Sequence, residues 1–328
     1  MEPTLPLKPY FHTNPMDIKQ KASLFAVFSA LILAGSKFSV GLISGSMTVV
    51  SSGLDSLLDV FMSAMNFLAI KKAAQPPDHS HHYGHGKAEN LAAVFQSLVI
   101  LFSGSYIIYF SVVTFFGDRK IHYTLWDLGV MIVSLGFSFI ISHRLKKIGA
   151  ATGSQALKAD ALHYTSDLYS NSAALLAILL AYVTHQIGFD LGFAVITGGI
   201  IIFSAGSILK NALWGLMDSS IPKAIEEKLR ILLQERPYPF AGFHKLRTRS
   251  SGSTIYADLH ALFCRKLKID EAHERTRELE SEITRQIPSM DIVIHIEPCE
   301  LPCGDTEESC PIRYPNPAAP IPADPTPP

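Results

Sequence analysis

Residues 47–70 read MTVVSSGLDSLLDVFMSAMNFLAI. The run exceeds the ~20 residues a helix needs to cross the hydrocarbon core of a bilayer, yet it carries Asp55 and Asp59 in its middle. Residues four apart share one face of a helix. Ser52, Asp55, Asp59, Ser63 and Asn66 follow at intervals of three, four, four and three and draw a polar stripe along that face. In a helix surrounded by lipid, such a stripe must face other protein or a water-filled cavity. A charge at mid-bilayer costs roughly 2.5–3.5 kcal/mol, so carboxylates placed there point to function.

A second apolar run, about Ala156 to Tyr182, repeats the device with Asp160, His163, Asp167 and Asn171 at intervals of three, four and four. Asp55 and Asp59 lie eight and twelve residues from one end of their run, and His163 and Asp167 seven and eleven from the opposite end of theirs. At ~1.5 Å per residue, antiparallel packing brings the two pairs to one depth. Three carboxylates and an imidazole then form a compact tetrahedral site suited to Zn²⁺, with Mn²⁺ and Fe²⁺ also accommodated. The ligands must shed protons to bind metal, and His163 is the group placed to exchange one. A metal-free salt-bridge cluster is the competing reading, but three carboxylates with no basic partner in the stripe would repel one another.

Working outward, four more apolar runs lie at about Ala22 to Ile43, Ala92 to Phe116, Leu125 to Ser142 and Leu191 to Trp214, giving six transmembrane helices within 19–219. Lys37 sits near the end of the first, where its stem can snorkel. Asp78, His79, His81, His82 and His85 crowd the loop after the second span, a first-row metal site in composition. Lys8 in the amino-terminal tail (1–18), Lys19 and Lys21 just after it, and Lys71, Lys72, Lys87, Arg144, Lys146, Lys147 and Lys158 in the loops after spans two and four put the positive charge on one side, whereas the opposite loops offer Arg119 and Lys120. By the positive-inside rule both termini are cytoplasmic.

From 220 to 299 the texture is that of a soluble domain. Ile225, Leu229 and Leu232 mark an amphipathic helix after Pro222, and 244–249 and 254–263 read as a hairpin about Ser251-Gly252-Ser253. Asp270 is placed to cap a helix whose inner face holds Ala272, Thr276, Leu279, Ile283 and Ile287. Ile292, Ile294 and Ile296 point inward from a last strand and leave His295 and Glu297 together outside. The order αββαβ makes a small α+β cytoplasmic domain. Residues 300–328 form a Pro-rich tail read as disordered.

The chain has 328 residues, 48% of them hydrophobic and 17% charged, so it is too apolar for an ordinary soluble protein of this length. A net charge of −1 without a basic patch argues against nucleic acid as a partner. Of the four cysteines, Cys264, Cys299, Cys303 and Cys310, three lie in or beside the Pro-rich tail, a usage that fits a reducing compartment and no disulfide framework. A catalytic metal motif is missing too: His81 and His85 have hydrolase-like spacing, but no Glu lies between them.

Three motifs together, Gly45-Ser-Met through Asp55-x-x-x-Asp59, Tyr83-Gly-His85-Gly-Lys87-Ala-Glu89 and Ala159-Asp160-Ala-Leu-His163-Tyr-x-Ser-Asp167, resemble the cation diffusion facilitators, and among them the bacterial zinc and iron exporters. The resemblance covers residues from about 20 to 299. It implies a homodimeric metal/proton antiporter of the bacterial inner membrane, exporting Zn²⁺, with Cd²⁺, Fe²⁺ and Mn²⁺ as alternatives, through Asp55, Asp59, His163 and Asp167. It further implies a weaker loop site at Asp78, His81 and His85, and a metallochaperone-like cytoplasmic domain with a binuclear site at His244, His260, His273, His295 and Glu297. There Glu297 replaces the Asp common in the family. An ion pair between Lys87 and Asp218, joining spans three and six at the inner surface, is implied as well. A non-transporting sensor or scaffold on the same fold is the alternative, but it need not keep all four intramembrane ligands, and this chain keeps them.

Overall fold

The computed structural model describes residues 17–44, 47–116, 125–184, 188–234 and 236–300. Most of the amino-terminal tail, the Gly45–Ser46 turn, the loop with Arg119 and Lys120 and the Pro-rich tail with Cys303 and Cys310 lie outside them, as does the side chain of Ser52. The chain divides into two units, Met1–Leu213 and Trp214–Pro328.

Six long helices run through the first unit and into the start of the second: α1 (Ile18–Ser44), α2 (Met47–Ala73), α3 (Ala88–Phe116), α4 (Leu125–Thr152), α5 (Gln155–Thr184) and α6 (Gly188–Leu216). Among the described residues, stretches of α1, α3, α4 and α6 are long and apolar enough to cross a membrane. The two polar stripes lie on α2 and α5. The helices outrun the apolar segments that announce them. In particular α4 continues for ten residues past Ser142, so the basic run His143–Lys147, expected as a closing loop, is helical. Arg144 there lies 4.4 Å over the Phe25 ring, a cation–π contact that a helix of this length can make.

Small side chains allow close packing. Ala22, Ala26, Ala92, Ala156 and Ala161 join Ile70, Ile141, Leu145, Leu157 and Tyr164 in one buried cluster. Where α3 meets α6, a Cβ added to Gly198 would stand 2.5 Å from Ile108 Cγ1 and 3.0 Å from the Gly104 carbonyl, so glycine is required for that approach. Among the described residues, a buried ion pair crosses the bundle. Lys19 Nζ lies 2.8 Å from Glu89 Oε1, and Ser154, just before α5, donates a hydrogen bond to the other carboxylate oxygen. Lys19, counted among the solvent-facing positive charges, is thus spent on Glu89.

The second unit adds α7 (Lys223–Gln234), β1 (Phe240–Ser251), β2 (Thr254–Phe263), α8 (Ile269–Gln286) and β3 (Met290–Pro298). The sheet order is β1-β2-β3, with β1 antiparallel and β3 parallel to β2. A parallel neighbour requires a crossover, and α8 supplies it. Ile255, Ala257, Leu259, Ala261 and Phe263 alternate inward from β2 and meet Leu279 and Ile283 of α8 and Leu229 and Leu233 of α7. Leu229 and Leu233 are fully buried in α7, and the expected Ile225 and Leu232 pack half-buried beside them. Pro222 precedes that helix, its carbonyl accepting from the N–H groups of Ile225 and Glu226. Asp270 is not the cap of α8. The helix begins after Lys268, whose N–H donates to the Glu271 carboxylate at 3.0 Å, leaving Asp270 in the first turn. Gly252, at φ 62, turns the hairpin between β1 and β2.

Candidate metal centres

Three separate groups of His and carboxylate side chains converge among the described residues. The first lies between α2 and α5. Asp59, His163 and Asp167 each offer a ligand atom within 4.8 Å of the others, and His163 Nε2 is 2.9 Å from Asp59 Oδ1. The helical spacing of four residues puts His163 and Asp167 on the face of α5 that meets α2. Asp55 is not in the group: it stands one turn toward the start of α2 and is exposed.

Sequence reasoning missed the positive charge beside these carboxylates. Lys37 does not snorkel. It is buried, and its Nζ donates to Ser56 Oγ at 2.8 Å, on the turn of α2 between Asp55 and Asp59. Asp59, Asp167 and Asp55 all act on it electrostatically. The α2 stripe itself holds no base, and its ammonium partner comes from α1, a relation that spacing within one helix cannot reveal. The signal was present all the same, because an ionisable side chain inside an apolar run is a functional candidate by default.

The second group occupies the loop before α3. Asp78 Oδ1 accepts from the N–H groups of His81 at 2.7 Å and Ser80 at 2.9 Å, and from the Ser80 hydroxyl at 3.1 Å. The His81 N–H above all holds the Asp78 carboxyl down to about 2. Asp78 Oδ1 is 3.4 Å from His81 Nδ1, and its Oδ2 is 3.4 Å from His85 Nε2. The two imidazoles sit 4.4 Å apart. Both ring nitrogens of His85 are buried without a hydrogen-bond partner, an arrangement costly for an imidazole but natural for a metal ligand. Gly84, at φ 72, provides the turn that brings His85 back under Asp78. His79 and His82 remain exposed outside the group.

The third group is built across the sheet of the second unit. His244 pairs with His260 in the β1–β2 register, and His260 with His295 in the β2–β3 register, so three imidazoles stand in one row. Two residues beyond His295, on the same face of β3, Glu297 reaches back to the row. Its Oε2 is 2.7 Å from His244 Nε2 and its Oε1 2.6 Å from His260 Nδ1, with His295 Nε2 at 3.8 Å. Contact with His260, and then His244, holds the Glu297 carboxyl below the usual range. The row faces away from α7 and α8, which cover the opposite side. His273 lies exposed on α8 and does not join the row. Asp218, at φ 56, is 3.4 Å from Arg249 of its own unit.

Residues 23–217 match the family model of the cation efflux transmembrane domain, and residues 221–299 that of the cation efflux protein cytoplasmic domain. The chain is 32% identical over 282 residues to the cation-efflux pump FieF of Salmonella arizonae, a likeness spanning 86% of this chain and 93% of the relative. FieF of Shewanella oneidensis is 31% identical over 283 residues, spanning 85% and 94%. Among solved structures, one on the mode of action of CzrB is 28% identical to this chain, covering 24% of it and 99% of the CzrB chain with a TM-score of 0.23.

Proposed function

This chain belongs to the cation diffusion facilitator (cation efflux) family, and on that premise we propose that it is a secondary transporter exchanging divalent metal for protons. Zn²⁺ is the principal cargo, with Cd²⁺, Fe²⁺ and Mn²⁺ as others. The observation that carries the reading is the approach of His163 to Asp59 at 2.9 Å, with Asp167 beside them, between two helices that also carry the polar stripes. Carboxylate oxygens and one imidazole suit a borderline cation in tetrahedral coordination. Asp55 completes the set by a turn of its side chain toward Asp59.

The transport step follows from the chemistry of these ligands. The imidazole must be neutral to bind metal, so arriving cation displaces a proton and arriving proton weakens the hold on the cation. His163 spans both events because it contacts Asp59 directly. All six helices cross the bilayer in this reading, with both termini and the second unit in the cytoplasm of a bacterial inner membrane. The loop group at Asp78, His81 and His85 is a second, weaker site at the inner surface, and Lys87 and Asp218 form an ion pair there.

The sheet group binds metal for regulation. Glu297, with one oxygen toward His244 and the other toward His260 and His295, can bridge two ions. His273 lies off that face, so it can complete such a site only from a second copy, which supports a homodimer. Cytosolic metal would then draw the two domains together and bias the helices toward one access state.

Transport by the reconstituted full chain across Zn²⁺, Cd²⁺, Fe²⁺, Mn²⁺ and Co²⁺ tests the proposal. Flux of Zn²⁺ that Asp55→Ala and His163→Ala abolish is the expected result. Flux indifferent to both substitutions would overturn it.

A further inference from the structure

Inward along α5 from His163, one turn away, Asp160 is wholly buried and takes no part in the metal groups. Ser63 Oγ and Gln96 Nε2 each donate to its Oδ1, both at 3.2 Å. Ser63 in turn contacts the Tyr164 hydroxyl at 2.8 Å, and Asn66 Nδ2 donates to Gln96 Oε1. The network therefore ties α2, α3 and α5 together. Two of its acceptors are buried with no donor: Asp160 Oδ2 and Asn66 Oδ1.

Counting hydrogens shows what is missing. Amide orientations are assigned and not observed, so both must be tried. With the amides as they stand, a charged Asp160 would leave its buried Oδ2 without a donor and Asn66 Oδ1 unserved. Turning Asn66 alone sets two oxygens face to face, and turning Gln96 alone sets two N–H groups face to face. Turning both aims Gln96 Oε1 at Asp160 Oδ1, where only an O–H can answer it. Each workable arrangement is one hydrogen short. The groups facing Asp160 are Ser63 and Asn66 from α2 and Gln96 from α3, none of them a cation; on its own helix His163 and Tyr164 are the nearest titratable neighbours. A buried carboxylate without a paired cation is far costlier than a neutral acid with partners.

We propose that Asp160 is a proton-binding site separate from the transport site: it holds a resident proton as a neutral carboxylic acid, and that O–H locks α5 to α2 and α3 so that His163 is presented to Asp59. Asp160 is in this account a positioning residue, and its proton is not the one exchanged for metal.

Infrared spectroscopy of the full chain in lipid, at alkaline pH where ordinary carboxyls are ionised, tests this directly. A protonated-carboxyl C=O band that Asp160→Asn removes is expected. The transport arm rests on the metal/proton reading above, whereas the infrared arm does not, so their failures are distinguishable. Asn is isosteric with the neutral acid and keeps an N–H donor. Asp160→Asn should therefore keep the pH profile of transport, while Asp160→Ala raises the metal KM by ~10-fold, in the range of lost supporting hydrogen bonds around a metal site. Absence of the band, a displaced pH profile in Asp160→Asn, or an Asp160→Asn chain that does not fold would each overturn the proposal.

Discussion

The metal group between α2 and α5 and the one on the sheet use the same chemistry, His with carboxylate, but they are held by different kinds of order. Between the helices, the order is local: Asp59 comes from α2, His163 and Asp167 are four residues apart on α5, and one helix–helix contact joins them. On the sheet, His244, His260 and His295 come from three strands, and pairing register alone aligns them. The helical group also lies deeper, with His163 at 15% and Asp59 at 19% side-chain exposure against 29%, 29% and 27% for His244, His260 and Glu297. A shielded group joined by one contact suits a site that must open and close. An open group on a rigid sheet suits one that senses.

That division can be broken by substitutions. Asp59→Ala or His163→Ala should lower metal flux by at least ~100-fold, beyond the effect of losing a supporting group around a metal, while metal bound by the sheet group, measured by equilibrium dialysis, stays unchanged. Glu297→Ala should do the reverse: sheet-site affinity falls by ~10–100-fold, and the maximal flux at saturating metal persists. If Glu297→Ala also stops flux at saturation, the two groups are one functional site and the comparison fails.

Acid sharpens the same contrast. Glu297 is held below the usual carboxylate range, so it stays charged as pH falls, and the imidazoles set the response. Across the acid range, sheet-site affinity should fall as pH falls, by about tenfold per pH unit for each proton that metal must displace from a ligand. Isothermal titration across that range reads the slope. The smallest effect is expected at Lys37. Lys37→Met removes the ammonium beside Asp55 and Asp59, and the metal KM should fall by up to about fivefold, equivalent to roughly 1 kcal/mol, with slower release. An unchanged KM would make Lys37 a packing residue only.

The same contrast explains what could be seen in the sequence. Periodicity exposes local order, so the two stripes and the inward alternation of Ile255 through Phe263 were legible. His295 and Glu297 could be placed on one face of their strand for the same reason. What periodicity does not carry is the identity of a partner from another element. Lys37 on Ser56 and Lys19 on Glu89 are contacts between helices, and each lysine alone looked like a snorkelling or solvent-facing charge. The hydrogen shortage around Asp160 was hidden likewise, since it depends on Asn66 and Gln96 from two other helices. Helix ends misled where polar residues continue a helix past its apolar part, as in α4.

The central claim is that metal and proton alternate on the Asp59, His163 and Asp167 group. Full-length protein in liposomes, with a pH indicator inside and Zn²⁺ added outside under an imposed pH gradient, addresses it most directly. Zn²⁺ entry that is accelerated by an acid interior and accompanied by proton exit, both lost in His163→Ala, is the predicted result. Zn²⁺ entry that neither moves protons nor responds to the gradient would contradict the account.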